Sequence, residues 1–343
     1  MATDSAGAVS STSERQPLRV LVAWNPTSSG DEAIAYAAWL ARSMPVRIRV
    51  ISILLRPWPA TSLAKLGGKY QKSFKKEAKA CATAVEEALT QAEVPSQCWD
   101  DDFSVFADGS SPAPILTEAA KDFAADLVIV GSSASTPKGR FHSSSTTSAL
   151  LHSSPSPLGL APRATKLSKH GITRLNYAFL ESGEDTSQVG LLYAASLANK
   201  LSLPLRIVAF SPTGLVDIPV TIKKSLVQDL TDQWHENALA MLDRARDRIM
   251  DCFPDITVET GIGSGDGWKG AIDALKWKKG DLLCLDSSDA GPSPRVFIGS
   301  PTSEFLQNIR VPAVVLPAGY ERQEQQEQQD SVRKSQNKPT PLD

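Results

Sequence analysis

At 343 residues the chain is too long for one compact domain of ordinary size, so two domains are expected. Its 41% hydrophobic and 22% charged residues exclude a wholly disordered chain, and 23 prolines and 21 glycines without a period exclude a collagen-like one. Lys+Arg of 36 against Asp+Glu of 38 leaves a net charge of −2, which provides no global positive field to draw in nucleic acid. Four cysteines make neither a disulfide framework nor a paired metal-ligand set, and they point to a reducing cytoplasm. Residues 1–16 hold no apolar core of the kind a secretory signal needs, and no apolar run approaches the ~20 residues that cross a bilayer. The stretches 1–16 and 320–343 are polar enough to read as disordered tails.

Between the tails, short apolar runs alternate with helical periodicity. A strand is predicted over 18–24, then a helix over 30–42 with Ala33, Ile34, Ala37, Ala38 and Ala41 on one stripe. A second strand over 46–54 leads to a long helix over 69–92, a third strand over 104–107, and a helix over 113–123. A fourth strand over 127–131 is followed by a short helix over 146–152 and a fifth strand over 157–161, whose prolines suit an edge or a strand start. The order then begins again. Strands over 175–180, 205–210, 256–259, 281–286 and 313–316 alternate with helices over 187–201, 226–250, 268–276 and 302–308.

The later parts of the two passes align without gaps. The run from Ala125 to Ser133 (ADLVIVGSS) matches that from Gly280 to Ser288 (GDLLCLDSS). In each copy a pair of small residues follows the Ser-Ser at the same distance, Ser144-Ser145 in one and Gly299-Ser300 in the other. A repeat of ~150 residues is a stronger signal than any single strand. It places domains at 17–164 and 168–319, joined by a polar stretch around 163–169. Parallel strands joined by helices cross over right-handedly, so helices should cover both faces. Ligands in such sheets lie outside the carboxyl ends of strands where the order reverses, which selects the loops after the first and fourth strands of each half.

These residues resemble the universal stress protein (UspA-like) family in its tandem two-domain form. The resemblance implies an α/β fold of two tandem Rossmann-like (adenine nucleotide alpha hydrolase-like) domains, each a five-stranded parallel sheet with helices on both faces. Members that bind ATP carry Gly, two residues, Gly, nine residues, then Gly-Ser or Gly-Thr. Backbone amides freed by those glycines approach the phosphates beside a helix N-terminus. The matching positions are Gly131, Ala134, Ser144 and Ser145 in the first half, and Asp286, Asp289, Gly299 and Ser300 in the second. The spacing is kept in both, but two carboxylates in the second half would repel a polyphosphate. The family's acidic residue at the end of the first strand aligns with Asn25, and Glu181 lies near that place in the second half. Ile53 matches the apolar position that lines the base. The resemblance therefore implies a nucleotide-type site at Asn25, Ile53, Gly131, Ala134, Ser144 and Ser145, with Gly299 and Ser300 as its remnant in the second half. ATP is the cofactor to test there, and Lys138 and Arg140 are either phosphate partners or ordinary solvated residues.

A structural reading stands beside that one. Gly131 and Ser144-Ser145 also suit a turn and an N-cap opening the helix at Thr146. The run 261–267 (GIGSGDG) reads as a flexible strand-to-helix connection rather than a dinucleotide fingerprint. Lys69, Lys72, Lys76 and Lys79 read as a solvated helix face, Cys284 as a core thiol, and Trp24 and Trp39 as core or interface aromatics. His142, His152, His170 and His235 join no catalytic or metal motif. The expectation is a non-enzymatic, cytoplasmic stress-response sensor or partner-binding module without a metal. The alternative is an ATP/AMP-binding switch using the first-half pocket. The resemblance further implies that segments 157–162 and 312–317 pack the two halves together as a dimer within one chain, with a homodimer as a further partner.

Overall fold

The strands of each half stand in the order expected of a doubly wound sheet. In the first half, β1 (Leu18–Ala23) is flanked by β2 (Val46–Leu55) and β4 (Leu127–Gly131), with β3 (Trp99–Gly109) and β5 (Leu158–Ala161) outermost. In the second, β6 (Arg174–Phe179) is flanked by β7 (Leu205–Thr213) and β9 (Asp281–Asp286), with β8 (Val258–Asp266) and β10 (Ala313–Leu316) outermost. This computed structural model describes residues 16–56, 60–180, 189–213, 224–287 and 300–317. Apart from Gln16, both tails lie outside the described residues, as do Glu181, Asp289 and Gly299.

The two five-stranded sets form a single ten-stranded sheet. All pairings within each set are parallel, and the sets join edge to edge through an antiparallel pair. In that junction Ala313 faces Leu160, Val314 faces Gly159 and Val315 faces Leu158. Each fifth strand thus covers an edge that would otherwise present unpaired amides and carbonyls. Alternation along the strands separates two apolar layers. Val20 and Val22 face a core with α1 (Glu32–Ala41), α2 (Ala60–Gln91), α5 (Val189–Leu201) and α6 (Lys224–Cys252), while Leu21 faces the other with α3 (Pro112–Phe123), α4 (Ser145–Leu150), α7 (Gly267–Asp273) and α8 (Ser300–Leu306). Both layers run across the junction. Among the described residues no helix is long and apolar enough to cross a membrane.

The junction is also tied from above and at its rim. Tyr36 of α1 is fully buried and donates its hydroxyl to the Ala313 carbonyl of β10 at 3.4 Å. Its ring lies over β5 at Gly159, where a Cβ would come within 3.2 Å of Tyr36 and 3.0 Å of Ile129. At the rim, Asp273 of α7 accepts from Arg140 of the β4–α4 loop at 3.3 Å, from Lys269 at 3.1 Å and from Arg310 at 2.6 Å. Arg140 also donates to the Asn308 carbonyl. Arg140 is therefore engaged in holding the halves together, which corrects both sequence readings of it. Its distant partners, Asp273 and Asn308, decide this.

The Arg310 hydrogen bond, with help from Lys269 and Arg140, holds the Asp273 carboxyl well below the ordinary carboxylate range. A depressed native pKa contributes stability that is present above the unfolded value, ~3.9, and is lost as the pH falls through the native one. Asp273→Asn should accordingly lower stability at neutral pH by about 2 kcal/mol. The gap to the unsubstituted protein should narrow as the pH is taken below ~4. Chemical denaturation across that range checks it; a gap that widens in acid would refute the assignment.

Two element boundaries differ from the sequence expectation for physical reasons. The Gly-rich run 261–267 is largely strand: β8 pairs with β7 from Leu205↔Val258 to Thr213↔Asp266. A Cβ at Gly263 or Gly265 would strike the backbone of Ala271 or Gly270, so the glycines let α7 lie directly on the strand. The run is a packing device and no flexible connection. The long helix begins at Ala60 rather than Lys69 because a turn with non-helical torsions at Gly67 (φ 45°) joins two helical stretches.

Candidate functional site

Outside the carboxyl ends of β1 and β4, where the strand order reverses, lies a cavity of about 470 Å³. Asn25, Ile53, Gly131, Ala134 and Ser144 all line it, so the topology brings five of the sequence-predicted residues together. Ser145 is the first residue of α4, is exposed and is absent from the lining. Lys138 is likewise exposed and outside the lining. Ser300 heads α8 in the second half, and its side chain lies outside the described residues, as does Gly299.

The polar candidates have local duties of their own. Asn25 closes the turn after β1: its Oδ1 accepts from the Thr27 amide at 3.1 Å and the Thr27 hydroxyl at 2.8 Å, and its Nδ2 donates to the Ile53 carbonyl at 3.3 Å. Ser144 is the N-cap of α4, its hydroxyl accepting from the Thr147 amide at 3.1 Å. The N-cap reading of Ser144 thus holds, and it coexists with a place on the cavity wall. Gly131 has ordinary torsions, and a Cβ there would meet nothing nearer than Ala33 Cβ at 4.0 Å. The space above Gly131 is cavity.

Residues that sequence reasoning did not assign to the site complete it. Leu54 and Leu55, 38% and 57% exposed, join Ile51, Pro112 and Leu116 as an apolar wall. Trp24 lines the cavity as well, and its indole Nε1 is buried with no hydrogen-bond partner. An orphaned buried donor beside an open space is uncommon in folded proteins. The wall was legible as apolar strand ends; the unpaired indole was not.

Among the described residues, the matching position in the second half carries larger, polar side chains. Register aligns Val22, opposite Ile129, with Tyr177, opposite Cys284. Gly131 aligns with Asp286 and Ala33 with Gly190. Tyr177 donates its hydroxyl to Asp286 Oδ2 at 2.7 Å, and the other carboxylate oxygen sits where a Cβ on Gly190 would be. Burial, then the Asp286 charge, pushes the Tyr177 phenol well above its ordinary pKa, so it stays a donor. Burial and Asp286 push the Cys284 thiol up to about 12, which leaves it no thiolate to react. Among the described residues no group of three or more His, Cys, Asp or Glu side chains could hold a metal ion.

A doubly wound α/β protein written twice, with an open crevice at its first switch point, is the class these features define. Known proteins agree on a family. The description "Universal stress protein family" matches residues 18–161. Universal stress proteins of Mycobacterium bovis and Mycobacterium tuberculosis are 26% identical over 300 residues, covering 88% of this chain and all of theirs. The crystal structure of a universal stress protein from Archaeoglobus fulgidus shares the fold with a TM-score of 0.61 at 16% identity, covering 89% of this chain and 100% of that one. Residues 18–161 thus match the universal stress protein family, the chain as a whole is similar to universal stress proteins of tandem length, and that similarity supports a stress-response role.

Proposed function

We propose that this chain is a non-enzymatic, cytoplasmic stress sensor that takes an adenine nucleotide in its first half, with residues 17–164 and 168–319 as its two domains. The observation that carries the reading is the crevice lined by Asn25, Ile53, Gly131, Ala134 and Ser144 at the first switch point. An adenine ring would lie against Ile53, Leu54, Leu55 and Leu116, the apolar side chains that line the crevice. The phosphate end would point to Gly131, Ala134 and the start of α4, with Ser145 contributing through the helix terminus. Without Arg140, and with Ala134 and Ser144 in place of two glycines that would free backbone amides, this end favours AMP or adenosine over ATP. Gly299-Ser300 is then a sequence remnant rather than a second site.

Calorimetric titration with ATP, ADP, AMP and adenosine, paired with thermal melts, tests the proposal. AMP and adenosine should release heat and raise the melting temperature, because a ligand that favours the native state stabilises it. Absence of both effects at millimolar adenosine and AMP sinks it. A partner-binding module without a ligand would then be the better reading. What favours that second reading is that Asn25 and Ser144 already spend their side chains on their own loops.

A further inference from the structure

A second cavity, of about 280 Å³, lies where the two halves meet, at the carboxyl end of β5 and the amino end of β10. Lys166, Lys278, Lys279 and Arg310 line it, and no carboxylate does. Four cations around one small cavity are a marked local excess in a chain whose net charge is −2. Among the described residues, no hydrogen bond or ion pair engages the ammonium groups of the three lysines, all of which are exposed. Arg310 is held through Nε by Asp273, which orients the guanidinium while its Nη groups make no hydrogen bond among the described residues. Asp273 is itself shared among Arg140, Lys269 and Arg310, so it does not offset the lysines.

The frame beneath these side chains is fixed. The Lys278 amide donates to the buried Asp281 carboxylate at 2.8 Å, and the Ser168 amide donates to the Lys279 carbonyl at 2.9 Å. Thr165, also on the lining, has its Oγ1 buried without a hydrogen-bond partner. A buried hydroxyl left unpaired is an exception that a bound acceptor would remove. The remaining wall, from Trp277, Val311 and Pro312, is apolar and lowers the local dielectric around whatever charge enters.

We infer that this junction cavity is a binding site for a small oligophosphate, separate from the first-half crevice. A phosphoryl group carries about two negative charges at neutral pH, so two or three linked groups match four cations. Lysine suits phosphate as a point charge, and the fixed Arg310 plane adds directed donors. The ligand would bridge the halves, since Lys166 follows β5 while Lys278, Lys279 and Arg310 precede β9 and β10. The base-free chemistry keeps the two sites distinct: adenosine addresses the crevice and tripolyphosphate the junction.

Full-length protein is titrated with sodium tripolyphosphate, pyrophosphate and citrate by calorimetry at low and high salt, with melts in parallel. Tripolyphosphate should bind saturably at one site per chain, raise the melting temperature and weaken with salt. The triple variant K166A/K278A/K279A should bind at least ~10-fold more weakly while melting normally without ligand, because none of the three ammonium groups has a protein partner. Gly131→Asp should leave this binding unchanged. No saturable binding, equal binding by the triple variant, or equal affinity for citrate and tripolyphosphate would each overturn the assignment.

Discussion

Asp281→Ala is expected to lower the unfolding free energy by about 3–5 kcal/mol, the loss that follows when a buried charge is left without its partner. Asp281 is fully buried and accepts from Arg174 through both Nε and Nη2 at 2.8 Å, a bidentate geometry. It also accepts from the Lys278 amide at 2.8 Å and lies 3.9 Å from Arg206. Arg206 is only 6% exposed; burial and then the like charge of Arg174 pull its pKa down to about 10. Its guanidinium lies 4.7 Å over the Trp277 ring and donates to Asn176 at 2.7 Å. Removing the buried carboxylate leaves two buried guanidinium groups whose remaining carboxylate partner among the described residues is Glu259, which is 52% exposed. Asp126 occupies the same position in the first half but, among the described residues, accepts only the Arg19 amide, at 2.8 Å. Asp126→Ala should therefore cost about 1 kcal/mol, and the contrast between the two variants is the control. Urea unfolding followed by circular dichroism measures both; a cost below ~1 kcal/mol for the Asp281 change would refute the account.

How much of this was legible in the sequence depends on the distance over which each feature is decided. The strands were legible because Leu127–Gly131 and Asp281–Asp286 are apolar runs of strand length in matching surroundings. Five of the crevice residues were legible because topology alone puts β1 and β4 side by side. Arg140 was not, since Asp273 lies 133 residues away and no local pattern links them. The extension of β8 through 261–266 was missed because glycine is depleted in strands, and only the approach of α7 explains the run there. Tyr177 held a signal that went unused: it and Asp286 both depart from Val22 and Gly131, and those two departures meet across β6 and β9. A coupled pair of substitutions between repeats marks the half in which a carboxylate stands at the Gly131 position.

That coupling yields the sharpest test of the first-half site. Gly131→Asp places in the first half the carboxylate that stands at the matching position of the second, and it should weaken AMP or adenosine binding at least ~100-fold, about 3 kcal/mol. The carboxylate would occupy the space now bounded by Ala33 Cβ, 4.0 Å from the would-be Cβ of residue 131. In the second half the same space is cleared by Gly190, so Ala33→Gly alongside Gly131→Asp should relieve the steric contact without reopening the crevice. Val22 offers no hydroxyl to the new carboxylate, whereas Tyr177 bonds Asp286 at 2.7 Å. The single variant therefore also carries an unpaired acceptor, and the triple change with Val22→Tyr should recover stability while staying blind to the ligand. Stability and binding are thus read separately, by melting and by calorimetry. Undiminished adenosine binding in the stable triple variant would show that the ligand does not enter between β1 and β4. Binding lost by Gly131→Asp alone and regained on adding Ala33→Gly would instead place the effect in packing, with the carboxylate itself no barrier.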